Sequence, residues 1–114
     1  MEKLQAFYLY LDDIRDMNSI IHNQFKFYKH CHAVDEAKFF VQAAIDLGVT
    51  EIWFDLDHDL GEFTLSGGDG IELVDWLVKM YHDKDVNFKF HFHSMNPVGV
   101  QNMRSAIAKY WEEF

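Results

Sequence analysis

The sequence predicts an α/β fold, a three-layer sandwich with a mostly parallel four-stranded sheet of order 2-1-3-4 that ends in a C-terminal helix. Two observations favour it: strand-like apolar segments alternate along the chain with segments of helical periodicity, and polar residues follow directly after three of the strands. Interleaved strands and helices are typical of a parallel sheet. With 114 residues, 49% of them hydrophobic, residues 1–114 are expected to form one domain with a substantial core.

Four segments have the residue pattern of strands. Residues 6–11, AFYLYL, are apolar throughout, which is typical of a strand buried on both faces. Residues 25–31, FKFYKHC, alternate loosely between apolar and polar and predict a half-covered edge strand. Residues 52–54 form the third strand, and residues 88–92, in which phenylalanine alternates with lysine and histidine, form the fourth.

Three segments carry apolar residues at helical spacing, namely residues 33–47, 71–81 and 97–111. Gly48 is placed to end the first helix. Ser66 or Asp69 is the expected N-cap of the second helix. Asn96 caps the third, and Pro97 occupies its first turn, where a missing backbone N–H costs nothing.

Composition excludes several classes of protein. The chain has no apolar run long enough for a membrane span, and residues 1–4 lack the basic-then-apolar order of a signal peptide. The single cysteine, Cys31, fits a reducing compartment, so a cytoplasmic location is expected. The net charge of −9 argues against binding along a nucleic-acid backbone. A small anionic ligand remains possible if a cation or a local positive group receives it.

Polar residues follow three strands where each strand ends: Asp12 and Asp13, then Asp57, His58 and Asp59, then His93 and Ser94. In a sheet of order 2-1-3-4 these strand ends meet in one crevice. Crowded carboxylates repel one another unless a cation joins them, which predicts a divalent metal, Mg²⁺ or Mn²⁺ foremost. The predicted ligands are Asp12, Asp13, Asp57 and Asp59. Each aspartate alone is more often a solvated loop residue. Asp55 is left open between a supporting carboxylate and a surface residue.

Two of the seven histidines, His58 and His93, are predicted to be catalytic because each lies at a strand end beside other site residues. Imidazole can give or take a proton near neutral pH, and which of the two is the acid is left open. His91 is also left open. The remaining histidines are predicted to lie on the surface: His22, His30, His32 and His82.

The segment HSMNPVG, residues 93–99, predicts an anion pocket. The backbone N–H groups that open the helix after Asn96, up to Gly99, are expected to face the crevice, and Ser94 can donate a further hydrogen bond. Arg15 is placed to clamp a phosphate from the other side and to stabilise charge on it. Its alternative role is to neutralise Asp12 or Asp13.

Four motifs, YLDDIR (10–15), DHDLG (57–61), SGGDGIELVDWL (66–77) and FHSMNPVGVQNM (92–103), together resemble the cyclic-phosphate-processing receiver-like domain family, in the family's order. The family is related to the response-regulator receiver domain. The resemblance covers nearly the whole chain and implies a flavodoxin-like fold. It also implies an activity on cyclic phosphates, of RNA ends or nucleotide signals. The implied site comprises Asp12, Asp13, Arg15, Asp57, His58, Asp59, His93, Ser94 and Asn96. One departure is Ser66-Gly67 in place of the usual Thr-Gly, which keeps the hydroxyl and the glycine.

Three functions follow from this resemblance. The first is a metal-dependent phosphoesterase, of the cyclic phosphodiesterase type, acting on a small ligand such as a cyclic nucleotide or an RNA terminus. The second is a module that binds a cyclic nucleotide or a protein partner without turnover. The third, ranked lowest, is a phospho-accepting switch at Asp57. A receiver also needs a lysine at the end of a fifth strand, and here neither that strand nor that lysine is expected before Phe114.

Overall fold

The computed structural model describes residues 6–17 and 23–114 and forms one parallel sheet of order β2-β1-β3-β4-β5. The strands are β1 (Ala6–Leu11), β2 (Phe27–Cys31), β3 (Glu51–Leu56), β4 (Asn87–Phe92) and β5 (Glu112–Glu113). All four neighbouring pairs are parallel. The α/β class, the order 2-1-3-4 and the edge position of β2 are therefore confirmed.

The helices are α1 (Val34–Asp46), α2 (Gly70–Tyr81) and α3 (Pro97–Ile107), and a 3₁₀ helix covers Gly61–Leu65. Asp69 is the N-cap of α2 and forms a capping box with Glu72, and the Asn96 side chain caps α3. The third helix is four residues shorter than predicted. The backbone N–H groups of Tyr110 and Trp111 both donate to Ile107, which turns the chain back toward the sheet. Trp111 packs against the core from this turn. Because it is apolar and happens to continue the helical spacing, the sequence pattern predicted a helix that extends beyond Ile107.

The prediction that no fifth strand exists is wrong. Glu112 and Glu113 pair in register with Lys89 and Phe90 of β4, and the backbone N–H of Phe114 donates to Phe90 at 2.8 Å. Arg104 of α3 holds Glu113 with two hydrogen bonds. Two exposed glutamates carry no apolar periodicity, so the sequence gives no strand signal here. Neither residue of β5 is a lysine.

Alternate residues of the central strands face opposite sides of the sheet. One face, with Leu9, Phe54 and Phe90 at its centre, packs in a single core cluster with side chains of all three described α-helices. The other face holds a smaller cluster of Ala6, Tyr8, Tyr10 and Phe25, with Met17 and Trp53 against it. Within residues 6–17 and 23–114, all three α-helices therefore pack on the first face. None of the described helices has the length and hydrophobicity that a membrane span requires.

Candidate functional site

A cleft of about 370 Å³ opens where β1, β3 and β4 end. The register aligns Leu11 with Leu56 and Leu56 with Phe92, so the residues that follow these three positions are neighbours. The cleft is lined by Asp12, Asp13, Ile14, Arg15, Asp57, Asp59, Gly61, Ser94 and Met95. It therefore brings together all four predicted metal ligands, with Arg15 and Ser94.

Asp12 lies at the centre of the site and is fully buried. Its Oδ1 accepts the backbone N–H groups of Ile14 at 2.9 Å and Arg15 at 2.8 Å. Its Oδ2 lies 2.8 Å from Nε2 of His93 and 3.0 Å from Nε of Arg15. Burial alone would raise the pKa of Asp12, but the backbone donors, His93 and the charge of Arg15 outweigh burial and lower it. Asp12 is thus a fully hydrogen-bonded carboxylate.

His93 lies between two buried carboxylates. Its Nδ1 is 2.6 Å from Oδ1 of Asp55, and its Nε2 faces Asp12. Because ionised carboxylates only accept hydrogen bonds, both ring nitrogens donate and the ring is an imidazolium. Burial alone would lower the pKa of His93, but Asp55 and Asp12 raise it above its ordinary value. The ring also stacks on Tyr10, with centroids 4.7 Å apart. His93 is therefore a fixed positive charge beneath the cleft.

Asp55 and Tyr8 support His93 from the second face of the sheet. Asp55 is 3% exposed, and its Oδ2 accepts the hydroxyl of Tyr8 at 2.5 Å. Burial and this hydrogen bond raise the pKa of Tyr8. The sequence left Asp55 open and treated Tyr8 as an apolar core residue. An aspartate inside a buried strand needs a hydrogen-bond donor. A tyrosine on the same face of the neighbouring strand was the signal in the sequence that could have identified this donor.

Arg15 bridges the two buried carboxylates of the cleft. Its Nη2 is 3.4 Å from Oδ2 of Asp57, and its Nε contacts Asp12. Burial would lower the pKa of Arg15, but Asp12 and Asp57 raise it. Asp57 is only 5% exposed, and its second oxygen accepts the backbone N–H of His58. The neutralising role considered for Arg15 is thus present in the structure, with Asp57 in place of Asp13. Asp13 lines the cleft and is less buried.

His58 lies beside the cleft and is not among its lining residues. Its Nδ1 is 2.8 Å from Oδ1 of Asp59, which also accepts the Asn96 amide at 3.2 Å. The hydrogen bonds from His58 and Asn96 lower the pKa of Asp59. The His58 ring packs against Gly99, where an added Cβ would lie 2.5 Å from Cγ of the imidazole. Gly99 therefore makes room for the histidine.

The start of α3 is occupied by its own cap. The N–H of Gly99 donates to Oδ1 of Asn96 at 2.9 Å, and the N–H of Asn96 donates to Oγ of Ser94 at 3.1 Å. Ser94 lines the cleft, whereas Asn96 and Gly99 do not. Of the residues predicted to form the anion pocket, the structure places Ser94 and Arg15 where they can reach a bound ligand.

The other histidines divide by burial. His82 and His91 are exposed, whereas His30 and His32 are half-buried and stack on each other with centroids 4.3 Å apart. Nε2 of His30 lies 2.9 Å from the backbone oxygen of Asp12 and not from its carboxylate. His30 thus supports the loop after β1 without joining the acidic cluster. His22 lies outside the described residues.

Two groups of side chains within the described ranges are close enough to share a metal ion: Asp12, Asp57 and His93, and His58, Asp59 and Asp69. In each group the ligand atoms lie within 4.8 Å of one another. Asp69 already caps α2 and accepts the N–H of Leu60. In the first group, carboxylate oxygens suit Mg²⁺ or Mn²⁺. The buried carboxylates of Asp12, Asp55 and Asp57 outnumber the cations Arg15 and His93, so the net charge also favours a cation.

A comparison with protein families extends the resemblance seen in the sequence. The family model described as "Cyclic-phosphate processing Receiver domain" matches residues 7–109. The matched range includes every residue that lines the cleft. A comparison with curated proteins finds no match. Because the family model spans nearly the whole chain, the chain belongs to the cyclic-phosphate processing Receiver domain family.

Proposed function

We propose that this domain hydrolyses a small cyclic phosphate ester with the help of a divalent cation, Mg²⁺ or Mn²⁺. One observation carries the proposal: two buried carboxylates from the ends of β1 and β3 line a small cleft with a guanidinium between them. The family description adds cyclic phosphates as the class of ligand. The cleft thus combines ligands for a cation with a donor for a phosphate.

A cation is required because the cleft is acidic. Among the described residues, four aspartates and one arginine line it, so a phosphate approaching the bare protein would meet net repulsion. Asp12 and Asp57 would hold the cation, with Asp13 and Asp59 available from the walls of the cleft. When bound, the cation supplies charge neutralisation and Lewis acidity toward a phosphoryl oxygen.

Arg15 has two binding partners in this proposal. In the metal-free protein it neutralises Asp12 and Asp57, and nearly half of its side chain, 47%, is exposed. Once a cation satisfies the carboxylates, the guanidinium is free to bind two phosphate oxygens. The Ser94 hydroxyl, which lines the same cleft, donates to the phosphate as well. Arg15 therefore links cation binding to phosphate binding.

Proton transfer is assigned to His58 in preference to His93. Both nitrogens of His93 are held by carboxylates, so the ring has no free site for a proton. His58 uses Nδ1 toward Asp59, and among the described contacts its Nε2 has no hydrogen-bond partner. His58 does not line the cleft, so the substrate must reach it past Asp59. His93 supplies fixed positive charge beneath the phosphate.

The second candidate function is ligand capture without turnover. It is favoured by the position of the histidines, since neither imidazole lines the cleft. Capture requires only the cation and Arg15. A phospho-accepting switch at Asp57 ranks lower, because β5 carries two glutamates and no lysine.

The ligand is expected to be small or to be engaged at one end. The chain has a net charge of −9, which opposes binding along a nucleic-acid backbone, so RNA would be engaged at its terminus. The single cysteine, Cys31, is a buried free thiol, and we place the activity in the reducing cytoplasm.

Incubation with 2′,3′- and 3′,5′-cyclic nucleotides tests the proposal. The purified protein is assayed for nucleoside monophosphate with Mg²⁺, with Mn²⁺ and with a chelator, beside Asp57→Asn as the control. Product that depends on the metal and on Asp57 supports hydrolysis. Protection of the fold against heat without product supports capture. The absence of both product and protection would contradict both functions.

A further inference from the structure

We infer that Ile14 and Met95 form a subsite for the base of a nucleotide at the mouth of the cleft. The inference rests on the proposed function, because it requires a phosphate group bound near Asp12 and Asp57. It narrows the substrate from cyclic phosphates in general to those that carry a planar base.

Both side chains face solvent at the mouth of the cleft. Ile14, in the loop after β1, is 82% exposed, and Met95, in the loop after β4, is 86% exposed. Both line the cleft that holds Asp12, Asp57 and Arg15. Single exposed apolar residues are ordinary on protein surfaces. Two in the lining of one charged cleft indicate a ligand with an apolar part, since binding would remove both from water.

A nucleobase fits the chemistry of this lining better than an aliphatic chain does. Its flat face can cover an isoleucine side chain, and a methionine thioether makes favourable contacts with aromatic rings. The carboxylates of Asp13 and Asp59 share the cleft and accept hydrogen bonds from the N–H groups of a base or the hydroxyls of a ribose. An aliphatic chain offers these carboxylates no donor. The cleft, at about 370 Å³, is within the range of small-ligand pockets.

Leu47 provides a matched control. It is 85% exposed, as Ile14 and Met95 are, but it follows α1 and lines an apolar groove with Phe7 and Phe27, away from the cleft. A general effect of removing an exposed apolar side chain would therefore appear in Leu47→Ala as well.

The experiment compares two probes by calorimetry in the presence of Mn²⁺: 2′,3′-cyclic AMP and the base-free cyclic 1,2-glycerophosphate. All proteins, the wild-type reference included, carry His58→Ala, so that binding is measured without turnover. We expect the wild-type protein to bind the nucleotide at least about tenfold more tightly, a typical size for base stacking. The double variant Ile14→Ala/Met95→Ala is expected to lose this preference while its affinity for the base-free probe stays unchanged. Leu47→Ala should behave as the wild type, and thermal melts of all variants verify the fold.

Equal affinity of the wild-type protein for both probes would overturn the subsite. So would a preference for the nucleotide that survives in the double variant, because the base would then bind elsewhere. If the protein bound neither probe, the proposed function itself would fail, and the subsite with it.

Discussion

The two site histidines, His93 and His58, follow neighbouring strands yet lie in very different surroundings. His93 lies beneath the cleft between Asp55 and Asp12, with Tyr10 stacked on its ring. His58 lies beside the cleft and has one charged partner, Asp59, which is 62% exposed at its side chain. A strand end brings a histidine to the site, but burial and hydrogen-bond partners determine its role. We therefore propose that His93 serves as a structural charge and that His58 is the histidine that exchanges a proton.

The largest expected effect is on the stability of the fold, which should depend much more on the carboxylate partner of His93 than on that of His58. Asp55→Ala leaves a buried imidazolium with one of its two carboxylates removed, and we expect a loss of about 3 kcal/mol or more in the free energy of unfolding. Asp59→Ala removes an exposed partner of His58, and we expect a change within about 0.5 kcal/mol. Denaturant melts of both variants measure the difference. Equal losses in the two variants would show that burial does not distinguish the histidines.

The second prediction separates them by turnover. His58→Ala is expected to lower kcat roughly a hundredfold with little change in KM, because Arg15 and a cation held by the carboxylates would still bind the phosphate. His82→Ala, which removes an exposed imidazole at the end of α2, is the control and should leave both constants unchanged. Steady-state kinetics on the cyclic nucleotide that the protein hydrolyses measures kcat and KM of both variants. An unaltered kcat in His58→Ala would remove this histidine from proton transfer.

The third prediction concerns pH in the metal-free protein. The pKa of His93 is raised above 6.5, so its stabilising contribution is fully present below pH 6.5 and is lost as pH rises through the folded-state pKa. The pKa of Asp12 is lowered below 3.8, so its contribution is present above pH 3.8 and is lost as pH falls through its folded-state pKa. NMR titration of the histidine rings with a chelator present measures the first shift. A midpoint for His93 at or below 6.5 would contradict the imidazolium assignment.

The smallest expected effect concerns Arg15. Arg15→Gln removes a cation that lies between Asp12 and Asp57, so we expect Mn²⁺ to bind roughly threefold to tenfold more tightly. Because the side chain is 47% exposed, screening by water and salt limits the gain. Affinity for the phosphate ligand should fall in the same variant. Calorimetry at low and moderate salt measures both affinities. Weaker Mn²⁺ binding in Arg15→Gln would show that Arg15 does not occupy the cation position.

The sequence predicts the sheet and the location of the site because both depend on simple patterns. Continuous apolar segments identified β1 and β3, and alternation of apolar with polar residues identified β4. Polar residues after each strand placed Asp12 and Asp57 in one cleft. The strand β5 was not predicted, for a physical reason. β5 is two exposed glutamates whose pairing is set by the turn after α3, which carries no periodic signal.

The hydrogen bonds inside the site were harder to predict than the identity of the residues that form it. Alternation places Asp55 on a face of β3 but does not say that Tyr8 and His93 meet it there. Motif spacing likewise grouped Gly99 with the anion pocket. In the structure, the absence of a side chain at Gly99 leaves room for the His58 ring, and the Gly99 N–H donates to the Asn96 side chain. Such contacts depend on how elements pack in three dimensions, which spacing along the chain does not specify.

Calorimetric titration of Mn²⁺ into wild-type protein and Asp57→Asn tests the central claim, that the cleft binds a divalent cation through Asp12 and Asp57. We predict one binding event in the wild type and none in Asp57→Asn. The metal-free variant should be as stable as the wild type or more so, because replacing one of the crowded buried carboxylates relieves repulsion. Equal Mn²⁺ affinity in the two proteins would contradict the claim.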